Sequence, residues 1–196
     1  MQEQVQPATS SPRQHSVTLA SRRPTEEEYD SEYHQQLIGL VPGHCVLQAL
    51  KQQKTWFNQI SQLVSTEQVD RIHPPYQWTI RQVFEHCVNT ERLQGYRMMA
   101  IADGSQPTLP NWDENVSADS RFGLGNLTRL IDEWNHLRQA NVDLLVRLTP
   151  RSWQPAGKIA GHRITVRALA WVTAGHLQHH LQIVEKRCGI TAKDSP

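Results

Sequence analysis

The stretch GHLQHHLQIVEKRC, residues 175 to 188, places His176, His179 and His180 within five positions of one another. The chain has ten histidines in 196 residues, so the cluster is not background scatter. At helical spacing His176 and His180 share one face, with Cβ atoms about 5–6 Å apart. Two imidazoles so placed can converge on one ion, with Zn–N bonds of about 2.0–2.1 Å. His179 is rotated by roughly 100° from His180 and shares that ion less easily, although it can pair with His176 at i, i+3. An HxxxH pair alone leaves several readings open: a metal site, a pH-sensitive surface, or solvated and core histidines without a role. The protease motif HExxH is excluded, because Leu177 occupies the position of its glutamate. A third ligand has to come from another segment.

WTIRQVFEHCVNTERLQGYR, residues 78 to 97, offers one. His86 lies on a helical stripe with Val83, Thr90, Leu93 and Arg97. Read alone, it is as well described as a core histidine. Helix bundles, however, build metal sites from side chains on facing helices, which would bring this stripe against the HxxxH face. On the same helix Arg92 and Arg97 are candidates to hold a substrate carboxylate; the alternative for each is a solvated or ion-paired residue. Glu85 and Glu91 are candidate bases, with Glu85 expected at the surface. Trp78, Trp134, Trp153 and Trp171 read as core, and Cys87 as packing.

Four segments of helical periodicity must position these residues. The first runs from about Gly43 to Val64. The second follows Thr79, an N-cap completed by Gln82 as a capping box, and extends to about Ala102. The third spans about Asn126 to Leu148, with Pro150 ending it. The fourth is capped by Thr165 and runs from Val166 to about Cys188, stopping at Gly189. The connector from Asp103 to Gly125 holds turn formers at Pro107, Pro110 and Gly123, with Trp112 and Phe122 as anchors, and residues 151 to 164 suggest a short extended pair. Residues 1 to 28 are poor in large apolar side chains and read as a disordered tail. The expectation is an all-α four-helix bundle with long crossover connections, one domain over residues 29 to 190.

Bulk properties narrow the class. Twenty Lys and Arg against 19 Asp and Glu leave a formal charge of +1 without a long basic run, which argues against nucleic-acid binding. Cys45, Cys87 and Cys188 show no CxxC spacing, which fits a reducing cytoplasm rather than a disulfide framework. No apolar run approaches the ~20 residues of a membrane span, and the N-terminus lacks a secretory signal. A soluble, cytoplasmic protein is expected.

These residues resemble a known family. WTIRQVFEHCVNTERLQGYR is similar to the Trp-Ser/Thr-x-x-x-x-x-x-His-x-x-Asp-x-Glu-Arg segment of the DinB superfamily, the DinB/YfiT-like metalloenzymes. AGHLQHHLQIV resembles its closing His-x-x-His-His signature. VPGHCVLQAL, LPNWDENV, the helix bearing Arg138, SWQPAG and GHRITVRAL fall in family order, so the resemblance spans roughly residues 29 to 188. It implies an up-down-down-up four-helix bundle with one divalent ion, nickel or zinc, held by His86, His176 and His180, while His179 matches a histidine that is not usually a ligand. It also implies an enzyme that transfers a low-molecular-weight thiol to a small electrophile. Metal-dependent hydrolysis, or a non-catalytic stress-response bundle with a structural metal, are the alternatives. Relatives are often homodimers, which an exposed apolar stripe would permit. Two positions depart from the pattern: Asn89 stands where many members carry Asp, and Leu177 where many carry Glu. The first removes a carboxylate able to orient a ligand. Three neutral histidines leave a divalent ion an open position, as in catalytic rather than structural sites.

Overall fold

The computed structural model describes residues 21–120 and 125–192. In chain order the helices are α1 (Glu32–Leu40), α2 (Val46–Leu63), α3 (Thr66–Val69), α4 (Ile80–Ala102), α5 (Glu114–Ser120), α6 (Leu127–Arg147) and α7 (Val166–Cys188). The strands are β1 (Thr108–Leu109), β2 (Ala156–Ile159) and β3 (His162–Thr165). The four long helices are the four that periodicity predicts; α4 and α7 start directly after the expected caps Thr79 and Thr165, whereas α2 starts at Val46, three residues after the expected Gly43. Thr79 accepts from the Gln82 amide while the Gln82 side chain accepts the Thr79 N–H at 2.9 Å, so two otherwise orphaned donors of α4 are satisfied. Asn126 caps α6 and Thr165 caps α7, and α7 stops at Gly189, whose φ of 63° is left-handed.

The long helices form an all-α bundle in which α4 packs on α6 and α7, and α2 packs on the same two. Two apolar clusters fill it. One contains Leu50, Met98, Val142 and Trp171; the other contains Trp56, Phe84, Trp134 and Leu181. Between them, each long helix enters a polar layer. Arg138 on α6, 0% exposed, donates to both carboxylate oxygens of Glu91 on α4 at 2.8 and 2.7 Å. It also donates to Gln53 on α2 at 2.8 Å, and Gln53 passes a hydrogen bond to the Ala174 carbonyl on α7 at 2.8 Å. A buried charge needs this kind of full pairing to be tolerated.

Helix α1 lies across α7 at Gly175, where an added Cβ would stand 2.0 Å from the Leu37 carbonyl oxygen. Only glycine permits that approach. The extended pair expected between residues 151 and 164 is the β2–β3 hairpin, turning at Ala160 and Gly161 with φ of 52° and 87°. Both values are positive, as a two-residue type I′ turn requires. Strand β1, from the long connector, pairs parallel with β2.

The tail boundary needs correction. Residues 1–20 lie outside the described residues, as do Phe122 and Gly123. Ser21 to Glu28, assigned to the tail by composition, instead pack on the bundle. Ser21 is buried, and Arg23 donates to the carbonyls of Ile38, Val41 and Gly43. Glu28 accepts from Thr165 and Arg167. The segment is held by polar bonds to helix ends, which apolar counting does not register. Among the described residues no helix is long and apolar enough to cross a membrane.

Candidate metal centre

Helix α4 brings His86 opposite His176 and His180 on α7, two segments 90 residues apart in sequence at the closest pair. The Nε2 atoms of His86 and His176 are 2.9 Å apart, and those of His180 and His176 are 3.1 Å apart. Ligand atoms of all three lie within 4.8 Å of one another. His86 and His176 are buried and His180 is half-buried. Burial pushes the His86 pKa down to about 4. It also lowers His176 and His180 well below the ordinary histidine value, and repulsion from neighbouring histidine rings adds to the effect. All three are therefore neutral near pH 7, with a lone pair available. His179 is exposed on the neighbouring face and makes a ring contact with His180.

Hydrogen bonding alone explains this arrangement poorly. The His176 Nε2 carries either one proton or one lone pair in the ring plane, yet it faces two other nitrogens at hydrogen-bonding distance. Three lone pairs able to converge on one cation would account for the cluster, and three imidazoles are a donor set suited to a divalent transition metal. The three histidines can hold a metal ion. The other nitrogen of His86, Nδ1, is buried with no hydrogen-bond partner among the described residues. Asn89 does not take up the orienting role of the missing carboxylate. Two rings hold the imidazole instead: Trp112 lies parallel to it at 5.7 Å and Trp78 is tilted against it at 5.2 Å.

The triad forms part of the wall of a cavity of about 520 Å³ whose other walls come from α1, α4, the Trp112 connector and the β2–β3 hairpin. Arg97 lines this cavity and is buried, and burial lowers its pKa. Arg92 does not line it. It is exposed, paired with Glu133, and borders a separate depression of about 280 Å³ beside Asn89. Glu91 is committed to Arg138 and is not a free base. Glu85, expected at the surface, is only 4% exposed, because α4 is covered along most of its first three turns. Trp78, expected in the core, is half-buried and lines the cavity. Trp134, Trp153 and Trp171 are core, and Cys87 is buried with its thiol pKa raised by burial. Leu177 packs in the apolar cluster around Trp56. Sequence reading missed Gln94 and the α1 residues Tyr33 and His34 as cavity residues. The stripe through His86 and Arg97 was the signal that could have found Gln94.

A family model described as the DinB superfamily matches residues 49–184. Among solved structures, the chain is similar to YfiT from Bacillus subtilis, described as a probable metal-dependent hydrolase with an unusual four-helix bundle topology. The match has a TM-score of 0.67 and 18% identity, covering 88% of this chain and 99% of YfiT. No curated protein matches the chain.

Proposed function

The chain belongs to the DinB superfamily, and from that premise we propose that it is a divalent-metal-dependent enzyme that transfers a low-molecular-weight thiol to a small electrophile. The observation that carries this reading is the convergence of three neutral imidazoles on the wall of a cavity of about 520 Å³, a volume within the range of small-ligand sites. Nickel or zinc held by His86, His176 and His180 would supply a Lewis-acid centre with an open position suited to a thiolate.

The remaining tasks belong to the chain itself. Trp78 and Trp112 fix the His86 ring. Leu37, Leu169 and Val172 make part of the cavity wall apolar and exclude water there. Among the described residues lining the cavity, Glu114 is the one carboxylate, and it is exposed. A thiol, with an ordinary pKa near 8.5, needs less help from a base than water does. His179 lines the cavity beside His180 and is the ring outside the triad that could take up a thiol proton there. The three cysteines are free, in keeping with a reducing cytoplasm. Hydrolysis is the second reading, supported by the likeness to YfiT.

Metal analysis of protein purified without a histidine tag is the first test. Titrating a small thiol into the cobalt-substituted protein should then produce a thiolate-to-metal charge-transfer band that strengthens as pH rises. Full metal occupancy with no spectral response to any thiol would sink the transferase reading. Ester cleavage without added thiol would establish the second.

A further inference from the structure

Beyond His86, the inner face of α4 presents Thr90, Gln94 and Arg97 to the same cavity. Each is 7% exposed. Thr90 Oγ1, Gln94 Oε1 and Arg97 Nε are buried, and none has a hydrogen-bond partner among the described residues. Their spacing of four and three puts them on one helical face. Arg97 is the most telling of the three. Its Nη2 donates to the Pro110 carbonyl at 3.0 Å, but the ion pairs among the described residues do not include it. The contrast is with Arg138, which is fully buried and bonded to both oxygens of Glu91. A buried guanidinium without a counter-ion carries a desolvation cost that an incoming anion would offset.

We propose that this stripe is a carboxylate subsite: the substrate that reaches the histidine triad carries a carboxylate at its far end, bound by Arg97, and meets Thr90 and Gln94 through polar atoms along its length. The inference rests on reading the cavity as the substrate site. It does not depend on which metal is bound or which bond is made. His86 and Arg97 are separated by roughly 16 Å of helix rise, so the molecule is elongated, with its acid several bonds from the reacting atom. Arg97 stands beside neutral Thr90 and Gln94, and the cavity's one carboxylate among the described residues, Glu114, is exposed and forms no ion pair with it, so the stripe itself can balance one negative charge. His34, also lining the cavity, adds none of the positive charge a phosphate dianion would need: burial brings its pKa down to about 4 and it stays neutral at pH 7. The planar fork of arginine matches a carboxylate in shape.

Calorimetric titration of the full chain with hexanoate, hexanamide and hexyl phosphate, with and without zinc, tests the subsite. Hexanoate should bind roughly tenfold or more tighter than hexanamide. Arg97→Met should abolish that preference, and Arg97→Lys, which keeps the charge and loses the fork, should reduce it severalfold. His180→Ala should lose metal and keep the preference, so failure of the metal-enzyme reading and failure of the subsite are separable. Equal binding of acid and amide, or a preference that survives in Arg97→Met, would overturn the subsite. Tighter binding of hexyl phosphate than of hexanoate would overturn the carboxylate assignment.

Discussion

His86 shows how a ring can be oriented although one of its two nitrogens, Nδ1, has no hydrogen-bond partner among the described residues. Trp78 and Trp112 orient the ring. His86→Ala and His180→Ala should each reduce bound metal far below one equivalent, because two histidines make only a weak site, whereas His179→Ala should retain most of it. Elemental analysis after dialysis decides, and loss of metal in His179→Ala alone would reverse the assignment. The metal-free protein should also lose stability in acid. Both His86 and His34 have pKa values pushed by burial to about 4, below the ordinary 6.5. Between those values the unfolded chain binds more protons, so stability is fully present above about pH 6.5 and declines as pH falls toward 4. Thermal midpoints measured across that window should fall by several degrees. Residue type and spacing marked His86, His176, His180 and Arg97 as candidates, because chemistry-bearing side chains at helical intervals are visible in a sequence. The burial of Glu85 and the cavity position of Trp78 were not visible. Both depend on which neighbouring segment covers the helix, and periodicity within one helix carries no information about its neighbours.

At the scale of elements, the polar layer sets how the helices meet. Arg138, Glu91 and Gln53 link α6, α4 and α2, and through Ala174 they reach α7, two residues before His176. Glu91→Gln leaves Arg138 charged and unmatched and should cost about 3–5 kcal/mol, read from urea denaturation; a loss below about 1 kcal/mol would show that water reaches the pair. Gly175→Ala should destabilise by about 1–3 kcal/mol, since its Cβ meets the Leu37 backbone and pushes α1 off α7. It should also weaken ligand binding, because α1 walls the cavity with Tyr33, His34 and Leu37. The start of α4 and both ends of α7 were readable from Thr79, Thr165 and Gly189, whose capping chemistry is local. Helices α1, α3 and α5 and strand β1 were not. They are too short to show a period, and α1 and β1 are held by what they pack on or pair with.

At the scale of the whole molecule, the segment from Ser21 to Glu28 ties the start of the fold to its last helix. Trp171 on α7 donates to the Arg22 carbonyl at 3.0 Å, and the Arg23 guanidinium lies 4.4 Å from the Trp171 ring centre. Deleting residues 1 to 25 removes these contacts and Arg23's bonds to the end of α1, so the thermal midpoint should drop by several degrees; an unchanged midpoint would mean that Arg23 contributes nothing. Helix α7 also packs on α1, α2 and α4 and supplies two of the three histidines. During synthesis it leaves the ribosome after every other long helix. Until then α1, α2 and α4 have no partner for the faces it will cover, and His86 stands alone. Any metal ion held by the triad would therefore be captured late in the life of the chain, and a nascent chain stalled before residue 166 could neither close its core nor complete the three-histidine site.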